Sequence, residues 1–108
     1  MVSEKTARVE DSGLRDYEMV LIISPEVEEE GVNNTIENIT QFITGKGGVV
    51  SEIEQWGKRR LAYPVKHFAE GNYVLTRFKV KPDITKELKA NLEISERVLR
   101  HLLINLED

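Results

Sequence analysis

Apolar residues along the chain fall into six blocks whose spacing alternates between sheet and helix periods. In YEMVLII, Tyr17 to Ile23, Met19, Leu21 and Ile23 share one parity and Val20 and Ile22 the other, which predicts a central strand covered on both faces. Ser24, Pro25 and Glu26 then read as a helix start: a hydroxyl at the N-cap, proline in the first turn, and acids where the dipole is positive. Val32, Ile36, Ile39 and Ile43 recur every three or four residues and draw a single apolar stripe on that helix. Gly45, Gly47 and Gly48 end it.

The second β-rich block runs from Val49 to about Tyr63. Val50 and Ile53 lie on opposite parities, so a bulge or an irregular edge strand is expected. Tyr63 precedes Pro64, which forces it extended and ends strand pairing there, and Val65 to Gly71 reads as a polar loop. From Asn72 to Val80 the alternation is clean, with Val74, Thr76, Phe78 and Val80 on one face and Tyr73, Leu75, Arg77 and Lys79 on the other. Pro82 and Asp83 open a second helix carrying Ile84, Leu88 and Leu92, and Val98 to Leu106 is a last strand.

Strand, helix, strand, strand, helix, strand is the split βαβ order. It predicts an α+β, ferredoxin-like fold with two helices on one face of a four-stranded antiparallel sheet. The uncovered face would keep Val20, Ile22, Tyr73 and Leu75, and Leu102, Leu103 and Ile104 make the last strand apolar on both sides as well, which is more apolar surface than a monomer leaves in water. A protein partner is expected on that face, unless the sheet curls onto its own loops. Residues 1–14 are polar and lack periodicity, and read as a flexible N-terminal extension before a single domain, 15–108.

Composition narrows the function. No apolar run approaches the length of a membrane span, and the opening residues carry no secretory pattern. The absence of cysteine excludes disulfides, thiolate metal sites and thiol nucleophiles, and fits a cytoplasmic protein. His67 and His101 have no metal-ligand spacing, so no metal, cofactor or catalytic residue is expected, and no small-molecule substrate. Gly45 to Gly48 follows a helix and enters a strand, the reverse of a phosphate-binding loop. An acylphosphatase-like site would need a phosphate cradle after the first strand, where this chain has Ser24, Pro25 and Glu26.

The net charge of −4 conceals a division. Residues 1–56 hold four basic and twelve acidic side chains, a net of −8; residues 57–108 hold eleven and seven, a net of +4. Trp56 to Lys66 has four cations, two aromatics and no acid, which offers phosphate-binding charge beside rings that stack on bases. The same residues would also serve as an edge strand charged against aggregation, and charge alone leaves the two readings level.

The order of residues here resembles a known family. Gly57, Lys58, Arg59, Arg60, Leu61, Ala62, Tyr63, Pro64 and Val65 are similar to the signature of the bacterial small-subunit ribosomal protein S-six family, with valine for isoleucine at the last position. Further similarity lies at Arg15 to Glu18, Ser24 and Pro25, Gly71 to Tyr73, and Val98 to Arg100. The resemblance implies a ferredoxin-like fold and a non-enzymatic structural role in the small ribosomal subunit. It also implies binding to the central domain of 16S ribosomal RNA together with the small-subunit protein S-eighteen. By motif position it implies Arg15, Arg59, Arg60, Tyr63 and Arg100 as RNA or assembly contacts, to which charge adds Lys58, Lys66 and Arg97. An RNA-recognition motif is disfavoured, because Glu70 to Arg77 supplies only Gly71 and a displaced Tyr73 of the run that it requires. A small homodimeric module without nucleic acid remains the alternative of a different class.

Overall fold

The computed structural model describes residues 13–106, so all but Gly13 and Leu14 of the expected N-terminal extension lies outside the described residues. The elements are β1 (Arg15–Ile23), α1 (Glu29–Gly45), β2 (Val49–Val65), β3 (Phe68–Val80), α2 (Pro82–Ile94) and β4 (Val98–Asn105). The strands form one antiparallel sheet in the order β2-β3-β1-β4, so β1 is central as its doubly apolar sequence requires.

The parity of each strand decides its inner face. Tyr17, Met19, Leu21 and Ile23 of β1 and Val74, Phe78 and Val80 of β3 pack with Val32, Ile39 and Ile43 of α1 and Leu88 and Leu92 of α2. The Tyr17 and Phe78 rings stack across strands at 5.9 Å. Each such buried side chain contributes about 1.5–3 kcal/mol relative to exposure, which fixes which sheet face the helices take. The other face of β1 and β3 is left without a helical cover.

Helix α1 starts later than its sequence suggests. The Ser24 hydroxyl accepts the Glu26 N–H at 3.2 Å, and the Val27 N–H reaches the Ser24 carbonyl at 3.1 Å, so Ser24-Pro25 builds a turn. The cap is Glu28, without a side-chain capping bond, and Glu29 and Glu30 occupy the first turn, where the dipole favours acids. A local side-chain bond has displaced the helical start, as short hydroxyl residues commonly do. The C-terminus follows expectation: Gly47 has φ +85°, and the Gly48 N–H bonds to the Ile43 carbonyl at 2.9 Å and the Gly47 N–H to Thr44 at 3.1 Å, a Schellman closure.

The hairpin β2–β3 departs most from the sequence reading. Val65 to Gly71 is not a loop. The strands continue to a two-residue turn at Lys66 and His67, both with positive φ, 50° and 73°, matching the twist of a tight hairpin. The lapse expected at Tyr63-Pro64 is present but temporary. Arg60 pairs with Glu70 and Val65 with Phe68, so β2 spends five residues where β3 spends two, and the ladder then resumes. Further slips lie between Val50 and Glu52 and between Gln55 and Gly57, which answers the parity conflict of Val50 and Ile53.

Candidate nucleic-acid and partner interface

Sheet register sorts the open face into cross-strand rows. One row is Glu52, Arg77, Glu18 and Ile104; the next is Glu54, Leu75, Val20 and Leu102; the third is Gly57, Tyr73, Ile22 and Arg100. The face therefore runs from acidic through apolar to basic along the strands.

At the acidic end Arg77 donates to Glu18 at 2.9 Å and approaches Glu52 at 3.3 Å. The hydrogen bond shared with Glu54 pushes the Glu52 carboxyl above its ordinary value, and the same bond, helped by one from the Trp56 indole at 2.9 Å, holds Glu54 below. The two neighbouring carboxyls are thereby shifted in opposite directions.

In the apolar middle the expected partner residues are not equally available. Val20 and Ile22 are half-buried, but Leu75 is only 6% exposed, flanked by Val20 and Glu54. Trp56 lies nearly parallel to Tyr73, with centroids 6.4 Å apart, and Tyr73 is half-buried. The exposed apolar groups are instead Leu102 and Ile104 on β4, together with Trp56 and Tyr63. The signal for the first two was the apolar character of both parities of the last strand.

At the basic end, residues from the two edges of the sheet meet. The Arg100 guanidinium donates to the Tyr63 hydroxyl at 2.5 Å and lies 5.7 Å from the centre of its ring. Chiefly through that bond, Arg100 is held above its ordinary value and stays charged. Lys66, at the hairpin tip, lines a cleft with Leu92, Leu99, Arg100 and His101. Arg59 stacks on Trp56 at 5.9 Å and donates to its carbonyl at 3.3 Å. Arg59 shares the parity of the open face through its pairing with Gly71, and Arg60 points to the other side of the hairpin.

The remaining sequence candidates lie elsewhere. Lys58 borders a cleft beside Glu26 and Glu28 at the start of α1. Arg97 remains exposed but lies against α1, donating to the Gly31 carbonyl at 3.3 Å and the Thr35 hydroxyl at 3.5 Å. Arg15 pairs with Val80 at the opposite end of β1 from Ile23, eight residue steps or about 26 Å along the strand, and donates to the Leu14 carbonyl. The structure therefore gathers Arg59, Tyr63, Lys66 and Arg100 at one end, with Arg60 adjacent, and leaves out Arg15, Lys58 and Arg97. Among the described residues there is no cluster able to hold a metal ion, and no helix is long and apolar enough to cross a membrane.

Comparison with known proteins bears on this arrangement. The family described as Ribosomal protein S6 matches residues 16–105. Small ribosomal subunit protein bS6 of Moorella thermoacetica is 44% identical over 95 residues, covering 88% of this chain and 97% of the relative. The bS6 protein of Dehalococcoides mccartyi (strain ATCC BAA-2266) is 41% identical over 102 residues, 94% of this chain and 92% of the relative. Among solved structures, the crystal structure of 30S ribosomal protein S6 from Thermotoga maritima superposes with a TM-score of 0.80 at 29% identity, over 85% of this chain and 87% of that one. The chain belongs to the ribosomal protein S6 family.

Proposed function

We propose that this protein binds the central domain of 16S ribosomal RNA through Arg59, Arg60, Lys66 and Arg100, together with small-subunit protein S-eighteen held on the open sheet face. Its family makes it a non-enzymatic structural constituent of the small ribosomal subunit, with ribosomal RNA as a partner. The observation that carries the finer reading is the meeting of the hairpin arm with Arg100 across the sheet. Cations from sequence-distant strands are drawn to one end of a chain whose overall charge is −4. Such clustering suits phosphate, whose neutralisation releases counterions. The strip Val20, Ile22, Tyr73, Leu102 and Ile104 supplies the apolar surface for the protein partner, with Leu75 too deeply buried to add to it.

Arg59→Glu with Arg60→Glu is expected to abolish measurable binding to a central-domain 16S fragment in the presence of S-eighteen, at unchanged melting temperature, because both side chains are exposed. Leu102→Asp is expected to weaken S-eighteen binding in a titration without RNA. Wild-type RNA affinity in the double variant would refute the assignment of the arm, and wild-type S-eighteen affinity in Leu102→Asp that of the strip.

A further inference from the structure

Strand β1 ends at Ile23, opposite Asn72, but the β2–β3 hairpin continues another four residues, about 13 Å at the rise of a strand. This overhanging arm has no neighbour in the ladder. On the far side of β1, β4 begins at Val98, also opposite Ile23. Tyr63 and Arg100 belong to the two outer strands, separated in a flat sheet by three strand spacings, or about 14 Å. Their hydroxyl and guanidinium nevertheless meet, with Lys66 of the tip beside Leu99, Arg100 and His101. The arm leans across the end of β1.

Three sequence features permit this lean. The slip between Arg60 and Val65 releases Tyr63 from the ladder, and Pro64 has no N–H to return to it. Gly71 passes so close to β1 that a Cβ there would meet Ile22 Cγ2 at 2.5 Å. Leu61 and Leu99 are each 8% exposed although neither belongs to the helix-side core.

We infer that Tyr63 is a positioning residue, whose hydroxyl fastens the hairpin arm to β4 and holds the Arg100 guanidinium where it meets RNA. This rests on the reading that the arm and Arg100 bind RNA. Tyr63 is 57% exposed, so its ring does little for the core. A guanidinium carries five N–H donors; one goes to Tyr63 and the others stay available to phosphate. Prior orientation reduces the side-chain ordering that binding would otherwise require, a cost of about 0.5–1.5 kcal/mol for one such group, equivalent to roughly a two- to twelvefold change in affinity.

The test compares Tyr63→Phe, Arg100→Ala, the double variant and Arg59→Glu with Arg60→Glu, using a central-domain 16S fragment with S-eighteen present. Tyr63→Phe keeps the charge count, so affinity should fall about two- to twelvefold while the slope of log affinity against log salt is preserved. Arg100→Ala should flatten that slope by roughly 0.7–0.9, the loss of one phosphate contact. Within the Arg100→Ala background, Tyr63→Phe should have no further effect. In the free protein, Tyr63→Phe should speed exchange of the Arg100 Nη1 protons, the ones donated to the hydroxyl, in nuclear magnetic resonance spectra, at unchanged melting temperature. Wild-type affinity in Tyr63→Phe, or an undiminished effect of Tyr63→Phe once Arg100 is gone, overturns the inference. If the Arg59/Arg60 variant and Arg100→Ala both bind as wild type, the RNA reading of the arm fails and the inference fails with it.

Discussion

Gly71→Ala probes the point where the arm departs from the sheet. A Cβ built on Gly71 lies 2.5 Å from Ile22 Cγ2 and 3.2 Å from the Ile23 carbonyl oxygen. The first contact overlaps by about 1 Å relative to the ~3.5 Å optimum for carbon atoms. Ile22 cannot readily turn away, because a β-branched side chain is stiff at χ1, and the second neighbour is backbone. Overpacking of this kind costs about 1–3 kcal/mol. At about 4–8 °C per kcal/mol for a domain of this size, the melting temperature should fall by roughly 4–24 °C. Gly45→Ala is the paired control: nothing lies within 4 Å of its Cβ, its φ is not positive, and it sits at the end of α1. There the gain in helix propensity and the loss of unfolded-state freedom should raise stability by up to about 1 kcal/mol. Scanning calorimetry of both variants beside wild type is the assay. A Gly71→Ala protein melting within a degree of wild type would refute the close approach of arm and β1.

Two further outcomes are expected. Arg97→Ala should lower the melting temperature, because the bonds to Gly31 and Thr35 are lost, yet leave the salt dependence of RNA binding intact, whereas Arg59→Ala should leave the melt alone and flatten that dependence by roughly 0.7–0.9; a flattened slope in Arg97→Ala would return that residue to the interface. Glu52, raised from 4.5 chiefly by its hydrogen bond with Glu54, contributes stability that is present below its unfolded value and lost as pH rises through the raised one. Glu54, lowered, contributes in the opposite direction, its stability lost only as pH falls through the depressed value. Glu52→Gln retains a donor to Glu54 at every pH, so it should melt above wild type at pH 7 and level with it near pH 4; a variant that melts below wild type at pH 7 would contradict the shared bond.

The elements legible in the sequence were those whose signal is local and periodic. The alternation from Val74 to Val80 and the stripe Val32, Ile39 and Ile43 are consequences of burying one face, and each is buried as its spacing required. The glycines after α1 likewise act through their own backbone. The arm was not legible, because its turn uses Lys66 and His67 at positive φ, where glycine or asparagine is the usual sign. Nor could spacing separate Arg97 from Arg100. Both are cations near the start of β4, and only the packing of α1 against that start captures one and leaves the other beside Tyr63. Leu75 alternated correctly onto the open face, but parity gives the direction of a side chain without saying what stands beside it.

The sheet also bears on the two readings that charge left level. β2 is an edge strand of 17 residues, and such an edge invites pairing with another chain. Its slips at three places already break the regular ladder that pairing would need, so geometry supplies much of the protection. Charge adds to it, but protection is indifferent to sign. The strand is not: Glu52 and Glu54 stand near one end and Arg59 and Arg60 toward the other, where Lys66 and, from the opposite edge, Arg100 join them. Acids at both ends would defend the edge equally well. A phosphate backbone would bind only where the cations are, and the arm, with its tyrosine turned toward Arg100, extends that cationic end past the last residue of β1.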